Sequence, residues 1–277
     1  MSRMLDGTVS VVAGGSSGIG LAVVTRLAEH GAVVEFLAND PDGVASAERD
    51  FRDGGADVRG SVVDASDPAQ VHAFMEGVAE RHGRLGVLVN CIGIQRYGTV
   101  ESTSPETWDE VFAVNLKSMF LTAKYAVPLM RRNGGGAIVN VSSAQAVASQ
   151  QNVVAYTATK GAIVAMTRAM AVDHAREGIR VNSVCPGSVD TPMLWEGARN
   201  VSEEDPGKVV AGWGSMYPLG RIARPAEIAD AIVYLASPYS SFVTGADLRV
   251  DGGLLAGVAL PAPEARLGEV PGAAHGS

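Results

Sequence analysis

Tyr156 and Lys160 stand four residues apart in Tyr-Thr-Ala-Thr-Lys, with Ser142 and Ser143 a short distance upstream. On a helix, residues four apart share a face, with Cβ atoms about 5–6 Å apart. A free phenol with a pKa near 10 is a slow base at neutral pH. A nearby ammonium favours the phenolate, and each pKa unit is worth about 1.4 kcal/mol. A serine hydroxyl that orients a carbonyl or alcohol oxygen would complete a proton-transfer site. The spacing alone does not establish one, because a packed tyrosine beside a solvated lysine has the same pattern. The elements that carry these residues must decide.

Residues 8–13 form a β-branched run that ends in Gly14-Gly-Ser-Ser-Gly18-Ile-Gly20, and a helical pattern follows over 21–30. Glycines at a strand-to-helix turn let the backbone approach a ligand closely. The helix N-terminus then offers free N–H groups and a positive dipole end to a pyrophosphate. The spacing is G-x-x-x-G-x-G, and Ser17 lies inside it. Residues 32–37 read as a second strand ending at Asn39-Asp40, where an acidic side chain would meet the adenosine ribose hydroxyls and a basic one a 2′-phosphate. No Lys or Arg stands at either place, which favours NAD and leaves NADP open. Asp40 reads equally well as the N-cap of a helix begun by Pro41.

The alternation continues. Strand-like runs cover 58–63, 87–89, 137–141, 179–184 and 247–250, and helical ones cover 68–81, 105–132, 154–177 and 225–236. Such alternation implies right-handed βαβ units, hence a single doubly wound parallel sheet, Rossmann-like, with helices on both faces. Ligands bind beyond the carboxyl ends of such strands. The glycine turn, Asp64, Asn90, Ser143 and Pro186-Gly187 all fall there. Residues 188–220 break the rhythm and are expected to form a lid rather than a surface decoration. Residues 1–260 read as one dinucleotide-binding and catalytic domain, and 261–277 as a flexible tail.

The 277 residues are 47% hydrophobic and 19% charged, ample for a large core. The net charge of −8 argues against nucleic acid as a partner. Each apolar run is interrupted before the ~20 residues a membrane span requires. The N-terminus lacks an apolar signal segment, so a cytoplasmic location is expected. Cys91 and Cys185 read as reduced, buried thiols, and the five histidines form no ligand-spaced cluster, so no metal is expected.

Over essentially its whole length the chain resembles the short-chain dehydrogenase/reductase family. The residues that carry the resemblance are Gly14-x-x-x-Gly18-Ile-Gly20, Asp64, Asn90-x-x-Gly93, Asn115, Ser143, Tyr156-x-x-x-Lys160, Arg180-Val-Asn-x-Val-x-Pro186-Gly187 and Asp251-Gly-Gly253. Ala13 stands where the family commonly has threonine, and Asn90-Cys-Ile-Gly93 replaces its usual Asn-Asn-Ala-Gly. The family sets its serine thirteen residues before the tyrosine, and 156 − 13 = 143, which selects Ser143 over Ser142. The resemblance implies Tyr156 as general acid/base and Lys160 as the group that lowers its pKa and holds the nicotinamide ribose. It implies that Ser143 orients the substrate oxygen and that Asn115 supports a water-linked proton relay. Gly14, Ser17, Gly18, Ile19, Gly20 and Gly93 would line the dinucleotide, with Asn39 and Asp40 at its ribose and Asp64 and Asn90 on its adenine side. Pro186, Gly187, Val189 and Thr191 would fix the nicotinamide. It also implies a homotetramer built on helices 105–132 and 154–177.

The resemblance puts the substrate pocket at residues 94–97, Gln145, Gln150, Met193, Trp195 and, further along, Trp213 and Tyr217. Amides suit hydroxyl-rich substrates, and tryptophans supply a flat wall for a ring. The expected reaction is NAD(P)-dependent interconversion of a secondary alcohol and a ketone, with a cyclic or polyhydroxylated, sugar- or polyol-like substrate. Two alternatives stand beside it: a 3-oxoacyl-carrier-protein reductase, and a non-catalytic cofactor-binding regulatory subunit.

Overall fold

Among the residues described by the computed structural model, 3–257, five helices open on a capping side chain followed by proline. Asp40 caps α2 (Pro41–Asp53), Asp67 caps α3 (Pro68–His82) and Ser104 caps α4 (Pro105–Phe112). Thr191 caps α7 (Pro192–Val201) and Asp205 caps α8 (Pro206–Ser215). Each cap satisfies a backbone donor that the first turn leaves free, and proline loses nothing at a position whose N–H has no helical partner. The remaining helices are α1 (Gly18–Glu29), α5 (Ser118–Arg132), α6 (Val154–His174) and α9 (Pro225–Ala236).

Seven strands form one parallel sheet: β1 (Val9–Ala13), β2 (Val33–Ala38), β3 (Val58–Val62), β4 (Val87–Asn90), β5 (Gly136–Val141), β6 (Ile179–Pro186) and β7 (Asp247–Val250). Their order is β3-β2-β1-β4-β5-β6-β7, so the direction of winding reverses between β1 and β4. The strand side chains alternate between two cores. Val12 joins Val23, Phe36, Ile228 and Ile232 on the face covered by α1, α2 and α9. Val11 and Ala13 join Phe74, Leu121 and Met130 on the face covered by α3 and α5. Fully burying a Val, Leu, Ile, Phe or Met side chain contributes about 1.5–3 kcal/mol. The doubly wound Rossmann-like sheet is therefore as expected.

Three local readings differ in detail. The stretch read as one helix over 105–132 is α4 and α5 joined by a π-helical turn, Ala113–Lys117, which carries Asn115. Residues 188–220 contain two regular helices, α7 and α8. Cys185 is buried, whereas Cys91 is partly exposed. The expected tail, 261–277, lies outside the described residues.

Candidate active site

Glycine is a steric requirement at the turn after β1. Gly14 has φ +85° and Gly18 φ +52°, where an L side chain is strained. A methyl on Gly14 would stand 3.1 Å from the Cys91 carbonyl carbon, and one on Gly20 would overlap the Gly14 carbonyl oxygen. The turn is thus clamped between the end of β4 and the first turn of α1. Ser17 occupies the N-cap position of α1 with its hydroxyl uncommitted to capping, which leaves the helix N-terminus open to an anion. A methyl on Gly18 would stand 3.2 Å from the Thr191 Cγ2, so the loop after β6 faces the glycine turn directly. Thr191 itself is tied down: its hydroxyl donates to Val189 O (3.2 Å) and accepts from Leu194 N (3.4 Å). Pro186 ends β6, and Val189 is buried and bridges Ala223.

Asn39 and Asp40 are exposed at the end of β2. Asp40 does cap α2, its Oδ1 accepting from Asp42 N at 3.2 Å. Capping uses one oxygen and leaves the carboxylate at the strand end, so the two readings of this residue are compatible. Asp64 is exposed, with Oδ1 accepting from the Ser66 amide (2.9 Å) and hydroxyl (2.8 Å). Asn90 is different. Its amide is buried inside the sheet, donating to Asn140 Oδ1 (2.9 Å) and accepting from Thr122 Oγ1 (2.7 Å), while Asn140 donates to Thr167 Oγ1 (3.0 Å). The register places Asn90 opposite Asn140, so the two amides meet across β4 and β5. The Asn90 side chain therefore links α5 to α6 through the sheet, and only its backbone is left at the strand end.

Ser142 and Ser143 directly follow β5 and bond different partners. The Ser142 hydroxyl donates to Lys160 O (2.7 Å) and is spent on backbone. The Ser143 hydroxyl accepts from Gln145 N (3.0 Å), and it lies on the Tyr156 side, where its nearness pulls the phenol toward a lower pKa. Tyr156 and Lys160 lie on one face of α6, the ammonium 5.3 Å from the phenol ring centre. Both are buried. Burial is the main influence on each: it pushes Tyr156 up to about 12, and it lowers Lys160 to about 8 because charge is disfavoured there. The Tyr97 phenol adds a smaller push upward on Tyr156. In the protein alone, burial outweighs the lowering expected of Lys160.

Lys160 Nζ donates to Val141 O (3.1 Å), which holds the ammonium at the end of β5. Asn115, fully buried in the π turn, accepts from Ile94 N (2.7 Å) and donates to Ile94 O (3.0 Å) and Thr159 Oγ1 (3.1 Å). Thr159 donates in turn to Tyr156 O (2.7 Å). A methyl on Gly93 would stand 3.5 Å from Lys160 Nζ and 3.7 Å from Asn115 Oδ1, so this glycine keeps the space between them clear. Thr159, Thr122, Asn140 and Thr167 were not singled out in the sequence. Their signal was a polar residue at a core position of a strand or helix, which is visible only once burial is known.

On the open side, the residues expected to form the pocket scatter. Gln145 Oε1 accepts from Thr157 Oγ1 (3.3 Å), Gln150 is exposed, and Gln95 is partly buried. Met193 is exposed, and the Trp195 indole donates to Asp190 Oδ1 (2.7 Å). Tyr217 lines a hollow together with Gly187, Ser188 and Asp251. Its hydroxyl accepts from Ser188 N (2.6 Å) and donates to Ser188 Oγ (2.7 Å), and its ring packs on Gly187, where a methyl would stand 2.7 Å away. It pins the loop that follows β6. Among the described residues there is no cluster of His, Cys, Asp or Glu able to hold a metal, and no helix is long and apolar enough to cross a membrane.

A parallel sheet whose glycine turn meets a helix N-terminus, with a buried Tyr–Lys–Ser group at the same edge, defines a dinucleotide-dependent oxidoreductase. A family model described as "Enoyl-(Acyl carrier protein) reductase" matches residues 13–255. The chain belongs to the short-chain dehydrogenase/reductase family. It is 36% identical to 2-(S)-hydroxypropyl-CoM dehydrogenase 3 of Xanthobacter autotrophicus, over 92% of this chain and 100% of that protein. It is also 36% identical to the 3-oxoacyl-[acyl-carrier-protein] reductase of Thermotoga maritima, over 91% and 99% respectively. Ligand-free aldohexose dehydrogenase of Thermoplasma acidophilum superposes with a TM-score of 0.87 at 34% identity, covering 95% of this chain and 100% of that one. The protein is an NAD(P)-dependent oxidoreductase that interconverts a secondary alcohol and a ketone.

Proposed function

We propose that the chain oxidises a cyclic or polyhydroxylated secondary alcohol with NAD, using Tyr156 as the acid/base. The observation that carries this reading is the meeting of Ser143 and Tyr156 beside the Lys160 ammonium, at the edge where Gly18 faces Thr191. The cradle of Gly14, Ser17, Gly18, Ile19 and Gly20 would hold the pyrophosphate of a nicotinamide dinucleotide, which when bound would supply the hydride chemistry. Ser143 holds the substrate oxygen against Tyr156, which takes the hydroxyl proton during oxidation and returns it during reduction. Lys160 stabilises the phenolate form of Tyr156 that takes the proton in oxidation and is left when the proton is given up in reduction, and Asn115 holds Ile94 and Thr159 so that the proton path through Lys160 keeps its geometry.

Three features support the substrate class: the Tyr97 and Trp213 rings, both close to Gly197, the amide of Gln95, and similarity to an aldohexose dehydrogenase. The carboxylate of Asp40, with no Lys or Arg beside it, supports NAD through repulsion of a 2′-phosphate. The test is a panel of sugars, polyols, cyclic alcohols and 3-oxoacyl thioesters assayed by NADH and NADPH absorbance. Turnover confined to the thioesters would refute the sugar or polyol reading and favour the carrier-protein reductase, which the Thermotoga relative represents. An acidic carrier would need a basic collar, for which Arg131 and Arg132 at the end of α5 are the nearest groups; against that second reading, Arg131 is bound bidentately to Glu177 (2.8 and 2.9 Å).

We also infer a homotetramer. An apolar hollow of about 580 Å³, lined by Phe112, Leu116, Phe120 and Met166, lies between the π turn and α6, on the two helices the family uses for assembly. Light scattering that gives a monomer mass would reject it.

A further inference from the structure

Tyr97 sits between the catalytic helix and the α7–α8 insertion and is held from both sides. Gly98, its neighbour, donates from its amide to Asn152 O (2.8 Å) and accepts from Val154 N (3.3 Å), forming a bridge to Val153. Val153 directly precedes α6, so this bridge ties the segment that carries Tyr97 to the start of the helix that carries Tyr156. Asn152 takes φ +62° there, the single left-handed residue other than glycine among those described. Arg96 is locked to Glu110 of α4 (2.7 and 3.1 Å). Across the gap, a methyl on Gly197 of α7 would stand only 2.8 Å from the Tyr97 hydroxyl and 3.7 Å from the Trp213 ring. The phenol lies close enough to Tyr156 for its charge to raise that pKa. About half of its surface is still open.

We propose that Tyr97 sets the size of substrate this enzyme accepts, its ring closing the pocket between Tyr156 and α7 and its hydroxyl seated on the bare backbone of Gly197. The inference rests on the alcohol dehydrogenase reading of the Tyr156 site. An aromatic wall fixed at both ends admits a compact ring or a short polyol and leaves no room for a second bulky group. Gly197 makes the seat, because any side chain there would occupy the place of the hydroxyl.

The probes are cyclohexanol and 4-phenylcyclohexanol with the dinucleotide-loaded protein. The readouts are the ratio of kcat/KM values and, in a Tyr156→Phe background, the ratio of Kd values by calorimetry. Tyr97→Ala is expected to shift the ratio toward the phenyl-substituted alcohol by about tenfold or more, the scale on which a pocket discriminates one apolar group. Gly197→Ala is expected to keep the fold, since only the end of a side chain must move and alanine suits a helix interior. It should change the ratio in the presence of Tyr97 and have no effect when Tyr97 is alanine, because it acts through that ring. An unchanged ratio in Tyr97→Ala overturns the proposal, as does a Gly197→Ala effect that is absent or equal in both backgrounds. Should Tyr97→Ala fail to fold, an unchanged ratio in Gly197→Ala alone overturns it. If Tyr156→Phe leaves alcohol oxidation intact, the reading of the site fails instead, while the calorimetric ratios still test Tyr97.

Discussion

The glycine turn and the α7–α8 insertion flank the same site and are built in opposite ways. In the turn, Gly14, Gly15 and Gly20 each lie so close to neighbouring atoms that a methyl group would collide or press on them. In the insertion, Gly197, Ala198, Val210 and Gly214 are the buried helix residues, and Val201, Met216 and Leu219 are each more than 60% exposed. Close packing suits a part that must hold one ligand in one geometry. A lightly packed pair of helices, tied at its ends by Tyr217–Ser188 and Val189–Ala223, can change its face without disturbing the sheet. The difference places common chemistry on the tight side and substrate choice on the loose side.

The largest expected effect lies in the tight half. Tyr156→Phe should lower kcat by about 10²–10⁴-fold, the usual worth of a positioned acid/base, and leave dinucleotide affinity unchanged by fluorescence titration. Substantial residual turnover would break the assignment. Gly20→Ala comes next. Its methyl overlaps the Gly14 carbonyl, so a loss of about 1–3 kcal/mol in denaturant unfolding is expected, together with weakened dinucleotide binding. Tolerance there would erase the contrast between the two regions.

Lys160→Met sharpens the picture by separating function from stability. Burial lowers the lysine to about 8 from an ordinary 10.5, so its charge costs stability below pH 8 and the cost disappears as pH rises through 10.5. The variant should therefore be more stable than the parent at pH 7, by an amount that shrinks between pH 8 and 10.5, while turnover falls. Calorimetric scans across that range decide. Asp40→Ala should improve NADP use relative to NAD by several-fold, the scale of one exposed charge, about 0.2–1 kcal/mol. The smallest effect belongs to the insertion: Leu219→Ser should shift stability by no more than about 0.5 kcal/mol.

Much of the fold was legible because it rests on periodicity. Val11, Val12 and Ala13 announce a strand buried on both faces, and Asp67-Pro68 and Ser104-Pro105 announce helix starts, each through local chemistry. The expected role of Asn90 at the adenine side could not anticipate Asn140, because the two meet only when β4 and β5 pair in register. Tyr217 looked like a pocket aromatic, and its hydroxyl proved to be the anchor of Ser188, a partner 29 residues away. The π turn around Asn115 has no composition signal that would mark it. Gln145 and Gln150 carry the right groups for a hydroxyl-rich ligand, yet one is occupied by Thr157 and the other faces outward.

By itself the sequence determined which residues could carry out proton transfer and on which edge of a parallel sheet they would gather, since helix spacing and strand alternation are properties of the local chain. Tertiary structure alone decided that the Ser142 hydroxyl is spent on Lys160 O, that burial pushes the Tyr156 phenol up and Lys160 down, and that Tyr97 meets Gly197. Those outcomes depend on desolvation and on contacts between distant segments, and neither exists until the chain has folded.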